Sequence, residues 1–217
     1  MATATRLVSL AQYDLLETPP EAQFDAIVAT AAQETGSPIA TIALLDERRA
    51  WFKARLGLAA TEGPIEDALC AEVIKQDDVL VVPDARRDPR FNHFSPATGS
   101  AGIRFYAGAP LCLRDGTRIG TLCVIDVEPR EALTEEERCV LVDLARRTVA
   151  AFELRRDLAG GRIGAAMALS DAPACLDQAS AYLIKAWAAL DQVGATAPLA
   201  YLEQVIADVD ALRGSHR

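Results

Sequence analysis

Apolar positions along this chain change period several times, and each change marks an element. Between Gly102 and Asp126 the run GIRFYAGAPLCLRDGTRIGTLCVID carries two β-rich apolar segments separated by Arg114-Asp115-Gly116-Thr117-Arg118. Asp-Gly supplies the positive φ angles of a tight turn, so this spacing predicts an antiparallel hairpin. Pro38 to Leu45 is apolar at nearly every position and predicts a central strand. Trp51-Phe52-Lys53-Ala54-Arg55 alternates instead, which predicts a strand with one wetter face. Leu69, Cys70, Val73 and Ile74 mark a short helix, and Val79 to Val82 a short strand closed by Pro83-Asp84.

Helical spacing frames these strands. Thr18-Pro19-Pro20-Glu21 predicts a helix start: Thr18 caps, Pro19 suits the first position and Glu21 completes a capping box. Phe24, Ile27, Val28 and Ala31 then share one face until Gly36. A second capping box, Thr134 to Glu137, opens a long helix that ends at Gly160-Gly161, with Val140, Leu141, Leu144 and Phe152 as its stripe. At about 1.5 Å per residue this helix is about 40 Å long, more than one small sheet covers. Its far end is expected to meet another helix or another subunit. Residues 85–101 are polar and rich in Pro, Gly, Ser and Asn, and the embedded Phe91 and Phe94 mark them as a packed lid.

Composition shifts after Gly161 to an Ala-rich stretch without β-like runs. Leu176, Leu183, Trp187 and Leu190 share one helical face; Leu202, Val205, Ile206, Val209 and Leu212 share another, with a break over 194–198. The expected organisation is a first domain over 1–159 and a C-terminal antiparallel helical hairpin over 160–217.

Five phrases in order resemble the GAF domain of bacterial signalling proteins. They are Leu15-Leu16-Glu17-Thr18-Pro19-Pro20, Val81-Val82-Pro83-Asp84-Ala85, Asp88-Pro89-Arg90-Phe91, Ile103 to Leu111, and Gly120-Thr121-Leu122-Cys123-Val124-Ile125-Asp126. The resemblance covers about residues 7 to 157. It implies an α+β, PAS-like fold: a central antiparallel sheet with a pocket on one face and helices on the other that commonly dimerise. Relatives often carry a histidine kinase or a cyclic dinucleotide enzyme in the position of residues 160–217. The only His in that stretch is His216, near the end, so kinase activity is not expected.

A net charge of −9 spread over 217 residues argues against capture of nucleic acid or an anionic membrane surface. No window reaches the length of apolar chain needed to span a bilayer and no signal peptide is legible, so a cytoplasmic protein is expected. Five scattered cysteines lack CxxC spacing, which leaves no zinc site and reads as mostly buried thiols. Cys70 is followed by Ala71 rather than the His that accompanies bilin attachment in GAF photoreceptors, so it reads as a helix-face thiol. Cys112 and Cys123 invite comparison with GAF enzymes that reduce free methionine sulfoxide. The hairpin register sets them about four residues apart, too far for a disulfide. His93 is the one interior candidate for a haem ligand and reads as a lid residue. The cofactor stays open, with bilin, haem and metal not expected.

Arg86, Arg87, Arg90 and Arg104 surround the lid, either as a cationic mouth for an anion or as partners of Asp84 and Asp88; pairing is the favoured reading. Trp51, Asp84, Arg90, Phe91, Arg104, Phe105, Tyr106 and Cys123 are the candidate ligand-binding residues. The expected protein is a non-catalytic sensory module: a homodimer that binds an unknown small molecule and signals to a partner protein. The alternatives are a ligand-free dimerisation scaffold and a thiol redox enzyme.

Overall fold

The computed structural model describes residues 2–99 and 102–159, together with the single positions 184 and 206. Two helices, α1 (Ala2–Tyr13) and α2 (Ala22–Thr35), lead into strands β1 (Ile39–Leu45), β2 (Arg49–Leu56) and β3 (Glu62–Pro64). A short helix α3 (Cys70–Val73), strand β4 (Leu80–Val82) and a one-turn helix α4 (Ser95–Thr98) follow. The hairpin β5 (Phe105–Cys112) and β6 (Arg118–Asp126) and the long helix α5 (Glu135–Ala159) complete the described elements. The strands form one antiparallel sheet in the order β3-β2-β1-β6-β5-β4. The apolar β1 is flanked on both edges, as its lack of alternation predicts.

Strand period divides the core in two. Ile42, Leu44, Ala107, Leu111, Leu122 and Val124 point to one face and pack against α1, α2 and α5. Leu141, Leu144, Ala145, Val149 and Phe152 supply the α5 stripe there, and the Phe24 and Phe152 rings lie 4.9 Å apart. Both rings are fully buried, a gain of about 3 kcal/mol each. Ala43, Leu45, Tyr106, Cys123 and Ile125 point to the opposite face, covered by Leu69, Val73 and Phe91.

One of the two predicted capping boxes forms. The Glu137 amide donates to Thr134 Oγ1 at 3.1 Å and the Thr134 amide to Glu137 Oε2 at 2.7 Å. The other is displaced: α2 starts after Glu21, which makes no side-chain cap, and the Thr18 hydroxyl instead donates to the Leu15 carbonyl. The cause lies far along the chain. Lys53, expected on a wet face, has a fully buried side chain whose Nζ donates to Thr18 Oγ1 (2.7 Å), Pro19 O (2.9 Å) and Glu21 Oε1 (2.5 Å). A bulge turns it inward: Ile42 pairs Ala54 and Ala43 pairs Phe52, so Lys53 is the extra residue in β2. Lys53 and the adjacent Ala54 consequently both meet the helix layer, Lys53 over the Phe24 ring at 5.3 Å.

The hairpin turn also differs in detail. Gly116 N donates to Leu113 O and Leu113 N to Thr117 O, both at 2.9 Å, and only Gly116 takes a positive φ, 83°. The pairing shifts between Leu111 and Cys112, so Cys112 faces Arg118 while Cys123 faces Gly108. The two thiols are therefore set about 13 Å apart along the sheet. Of the four described cysteines, Cys70 and Cys123 are buried, whereas Cys112 and Cys139 are exposed, against the expectation that most are buried. Cys112 ends its strand beside the turn, and Cys139 lies next to Glu135 on α5. Helix α1 has no counterpart in the predicted elements, and the predicted C-terminal hairpin falls outside the described residues. Among the described residues no helix is long and apolar enough to cross a membrane, and no cluster of metal-ligating side chains occurs.

Glu21 also receives Arg155 Nη1 of α5 at 2.8 Å, so one carboxylate joins β2 to the long helix. Burial works to raise its pKa, but hydrogen bonds from Lys53 and Gln23 and the charges of Lys53 and Arg155 outweigh it and hold the value below 4.5. A depressed folded pKa means the contribution is complete above the unfolded value and disappears as pH falls through the folded one. Glu21→Gln should lower the unfolding free energy at neutral pH by about 2 kcal/mol, read by urea titration. The gap between variant and wild type should narrow as pH falls below 4.5.

Candidate functional site

On the sheet face away from α1, α2 and α5 lies a partly enclosed cavity of about 370 Å³. Its floor is Ile39, Thr41 and Ala43 of β1, Ala50 and Phe52 of β2, Cys123 and Ile125 of β6, and Tyr106 of β5. Leu58, Ala68, Leu69 and Cys70 form one wall, and Pro96 and Ile103 close it from the lid side. The volume suits a small organic molecule.

Hydroxyls and thiols gather on this face. Thr41 Oγ1 and Cys123 Sγ are 3.0 Å apart and share a proton contact. Among the described residues the buried Tyr106 and Thr121 hydroxyls make no hydrogen bond of good geometry, although they lie close to each other and to Cys123. The Tyr106 ring lies across Gly108, where a Cβ would come within 2.6 Å of the phenol oxygen, so glycine makes the room for it. Burial raises the pKa of Tyr106, Cys70 and Cys123 alike, which keeps all three protonated at neutral pH. A thiol held protonated is a poor nucleophile, and Cys70 and Cys123 act as small apolar and weakly donating groups.

The lid is held by ion pairs. Arg104 grips Asp84 with two parallel bonds, Nε to Oδ1 at 2.8 Å and Nη2 to Oδ2 at 2.6 Å. The Arg104 carbonyl accepts from the Ala85 amide at 2.6 Å. Asp84 also accepts from the Arg86 amide and lies 3.5 Å from Arg87 Nε, while Arg86 Nε donates to Ala97 O. Arg90 pairs with Asp88 and sits over the ring of the fully buried Phe91, which meets Phe94 edge-on. Hydrogen bonds from Arg104 bring the Asp84 pKa down to about 2, so this clasp stays charged at any physiological pH.

The structure therefore brings Tyr106 and Cys123 to the cavity and places the other named residues elsewhere. Asp84 and Arg104 line an open groove with Arg87, Asp88 and Arg130 on the outer side of the lid. Arg90 and Phe91 anchor the lid. Trp51 and Phe105 pack on the helix face, Phe105 under the Arg130 guanidinium at 4.9 Å. His93 is exposed and meets Phe94. Phe52, Thr41, Ala43 and Ile103 are among the lining residues that sequence reading did not name for the site. For Thr41 and Ala43 the signal was parity along β1, as it is for adjacent Phe105 and Tyr106, which point to opposite faces.

Tyr106→Phe removes a buried hydroxyl whose contacts with Thr121 and Cys123 fall short of good hydrogen-bond geometry, so melting should show stability unchanged or raised by about 1 kcal/mol; a clear loss would reveal a working hydrogen bond there. Asp84→Asn should open the clasp and speed amide exchange at Ala85, Arg86, Arg87 and Asp88 while leaving β1 protected.

A family model for the GAF domain matches residues 19–152. Over 145 residues the chain is 41% identical to a protein of Pseudomonas aeruginosa named a cyclic di-GMP phosphodiesterase. The match takes in 67% of this chain and 25% of that protein, so the chain spans about a quarter of the curated relative's length. The expectation of a non-catalytic protein is corrected by this relative, which carries an enzyme's name. The fold is shared with the GAF domain of an Acinetobacter phosphoenolpyruvate-protein phosphotransferase, at TM-score 0.52 and 20% identity over 69% of this chain and 92% of that one. It is shared equally with free methionine-R-sulfoxide reductase from Neisseria meningitidis, at TM-score 0.52 and 21% identity over 72% and 93%. At such identities the likeness is one of fold, and it carries no activity across. The family match, the six-stranded sheet with its helix layer and the covered cavity agree: this chain belongs to the GAF domain family.

Proposed function

We propose that this GAF domain senses a small molecule in cyclic di-GMP signalling, with the cavity under the lid as its binding site and a phosphodiesterase as the activity it controls. The observation that carries the reading is the cavity itself, about 370 Å³ set against buried, unpaired hydroxyl capacity on the sheet. The phosphodiesterase context is drawn from the name of the Pseudomonas relative.

A route from cavity to output follows from the chain order. Phe52 lines the cavity, and the next residue, Lys53, crosses to the helix face and binds Glu21. Glu21 holds Arg155 of α5. A ligand that displaces Phe52 thus works on the seating of the long helix, shifting the population of its positions. In this reading Tyr106 and Cys123 meet the ligand, Asp84, Arg90, Phe91 and Arg104 keep the lid in place, and Trp51 and Phe105 support the sheet from behind.

The protein purified from cells should show extra mass in a native spectrum that disappears on denaturation. Ala43→Leu, which fills the floor of the cavity, should remove that mass and leave the far-UV circular dichroism intact. A native mass equal to the bare chain, with a melting point that no metabolite moves, would sink the sensor reading.

A further inference from the structure

We infer that the cavity selects a compact molecule without negative charge, and that it excludes anions, phosphorylated nucleotides among them. This rests on the reading of the cavity as a ligand site and adds the chemical class of the ligand.

The inference comes from which charges reach the cavity and which do not. None of its lining residues is Lys, Arg or His; the two charged ones, Glu62 and Asp67, are both acidic. Glu62 is held by Arg49, 2.6 Å from Nη1. Asp67 accepts only a long bond from the Ser95 amide, 3.4 Å, and among the described residues no cation pairs with it. Three of the lid arginines are already committed, Arg104 to Asp84, Arg90 to Asp88, and Arg86 to the Ala97 carbonyl, and the fourth, Arg87, is exposed beside Asp84 in the separate open groove.

An anion entering here would give up its hydration and find no counter-charge, facing the Asp67 carboxylate at the entrance instead. An uncharged aromatic or aliphatic molecule loses little on entry and meets Phe52, Ile103 and Ile125. The Thr41 hydroxyl and Cys123 thiol already satisfy one another, so the deep wall offers weak, neutral hydrogen bonding. That chemistry fits one hydroxyl, amine or carbonyl group on an apolar frame.

Two dyes of nearly one shape test it. N-phenyl-1-naphthylamine is neutral, and 1-anilinonaphthalene-8-sulfonate is the same ring system with a sulfonate. Titrated against the full 217-residue chain, the neutral dye should brighten and bind at least about tenfold more tightly than the sulfonate. Ala43→Leu should abolish the neutral dye's signal. Ala60→Trp, a change at an exposed rim position that folding tolerates, should do the same and guards against a misfolded core variant. Leu58→Lys, which places a cation at the rim, should recover sulfonate binding. Equal binding of both dyes at a site that Ala43→Leu and Ala60→Trp block would overturn the charge selection and leave the ligand site standing. Tighter binding of the sulfonate would overturn it too. Binding of neither dye would overturn the cavity reading on which the inference rests.

Discussion

Lys53 Nζ has no access to solvent, and an ammonium group in that position requires acceptors on every side it can donate to. The chain supplies three from one short segment, Thr18, Pro19 and Glu21, so the link between the first two helices must lie against the second strand. Two prolines keep that link extended, and Glu17, with a φ of 59°, turns the chain into it. Because Glu21 also binds Arg155, the same carboxylate seats the long helix. The second strand, the helix entry and the long helix are thereby fixed by one buried charge and its partners. Burying such a charge is costly, and its use here is positional: it sets which residues of the second strand face the helices and which face the cavity.

The two faces of the sheet are built for different tasks. The helix face is aliphatic and aromatic apart from the buried Lys53 and its partners, and is closed by the Phe24–Phe152 contact. The other face mixes alanine, threonine, cysteine and tyrosine with fewer large side chains, and its cover is a loop and two single-turn helices. Small residues at Ala43 and Ala50 leave the space that larger ones would fill. The lid stays in place through arginine–carboxylate pairs that lie outside the cavity, so it is closed without lending positive charge to the interior.

Much of this was legible in the sequence, for reasons that differ by element. The strand at 39–45 is apolar on both faces and lies inside the sheet, and the β-rich runs over 105–126 form the hairpin that their Asp-Gly break predicts. The Thr134–Glu137 box forms because both partners sit within one turn of each other. Thr18–Glu21 has the same local signature and fails because Lys53, distant in sequence, takes both acceptors. Local signals lose to a buried charge. The bulge at Lys53 leaves no mark in the residue pattern, yet it reverses the parity of the second strand and so decides the faces of Trp51 and Phe52. That Asp84 and Asp88 pair with arginines around the lid was the favoured reading of the sequence; which arginine each takes, and that the pairs lie outside the cavity, was not legible, since only the fold shows where the lid turns. Adjacent Phe105 and Tyr106 could be separated by parity alone, and only Tyr106 reaches the cavity.

The central claim is that the space beside Phe52, Tyr106 and Cys123 is a binding site for an uncharged small molecule. A crystal structure of the protein isolated without added ligand tests it most directly. The account predicts continuous density for a compact molecule between the sheet and Ile103, with no phosphate or carboxylate in it. A cavity collapsed by its own side chains, or one holding an anion against displaced arginines of the lid, would contradict it.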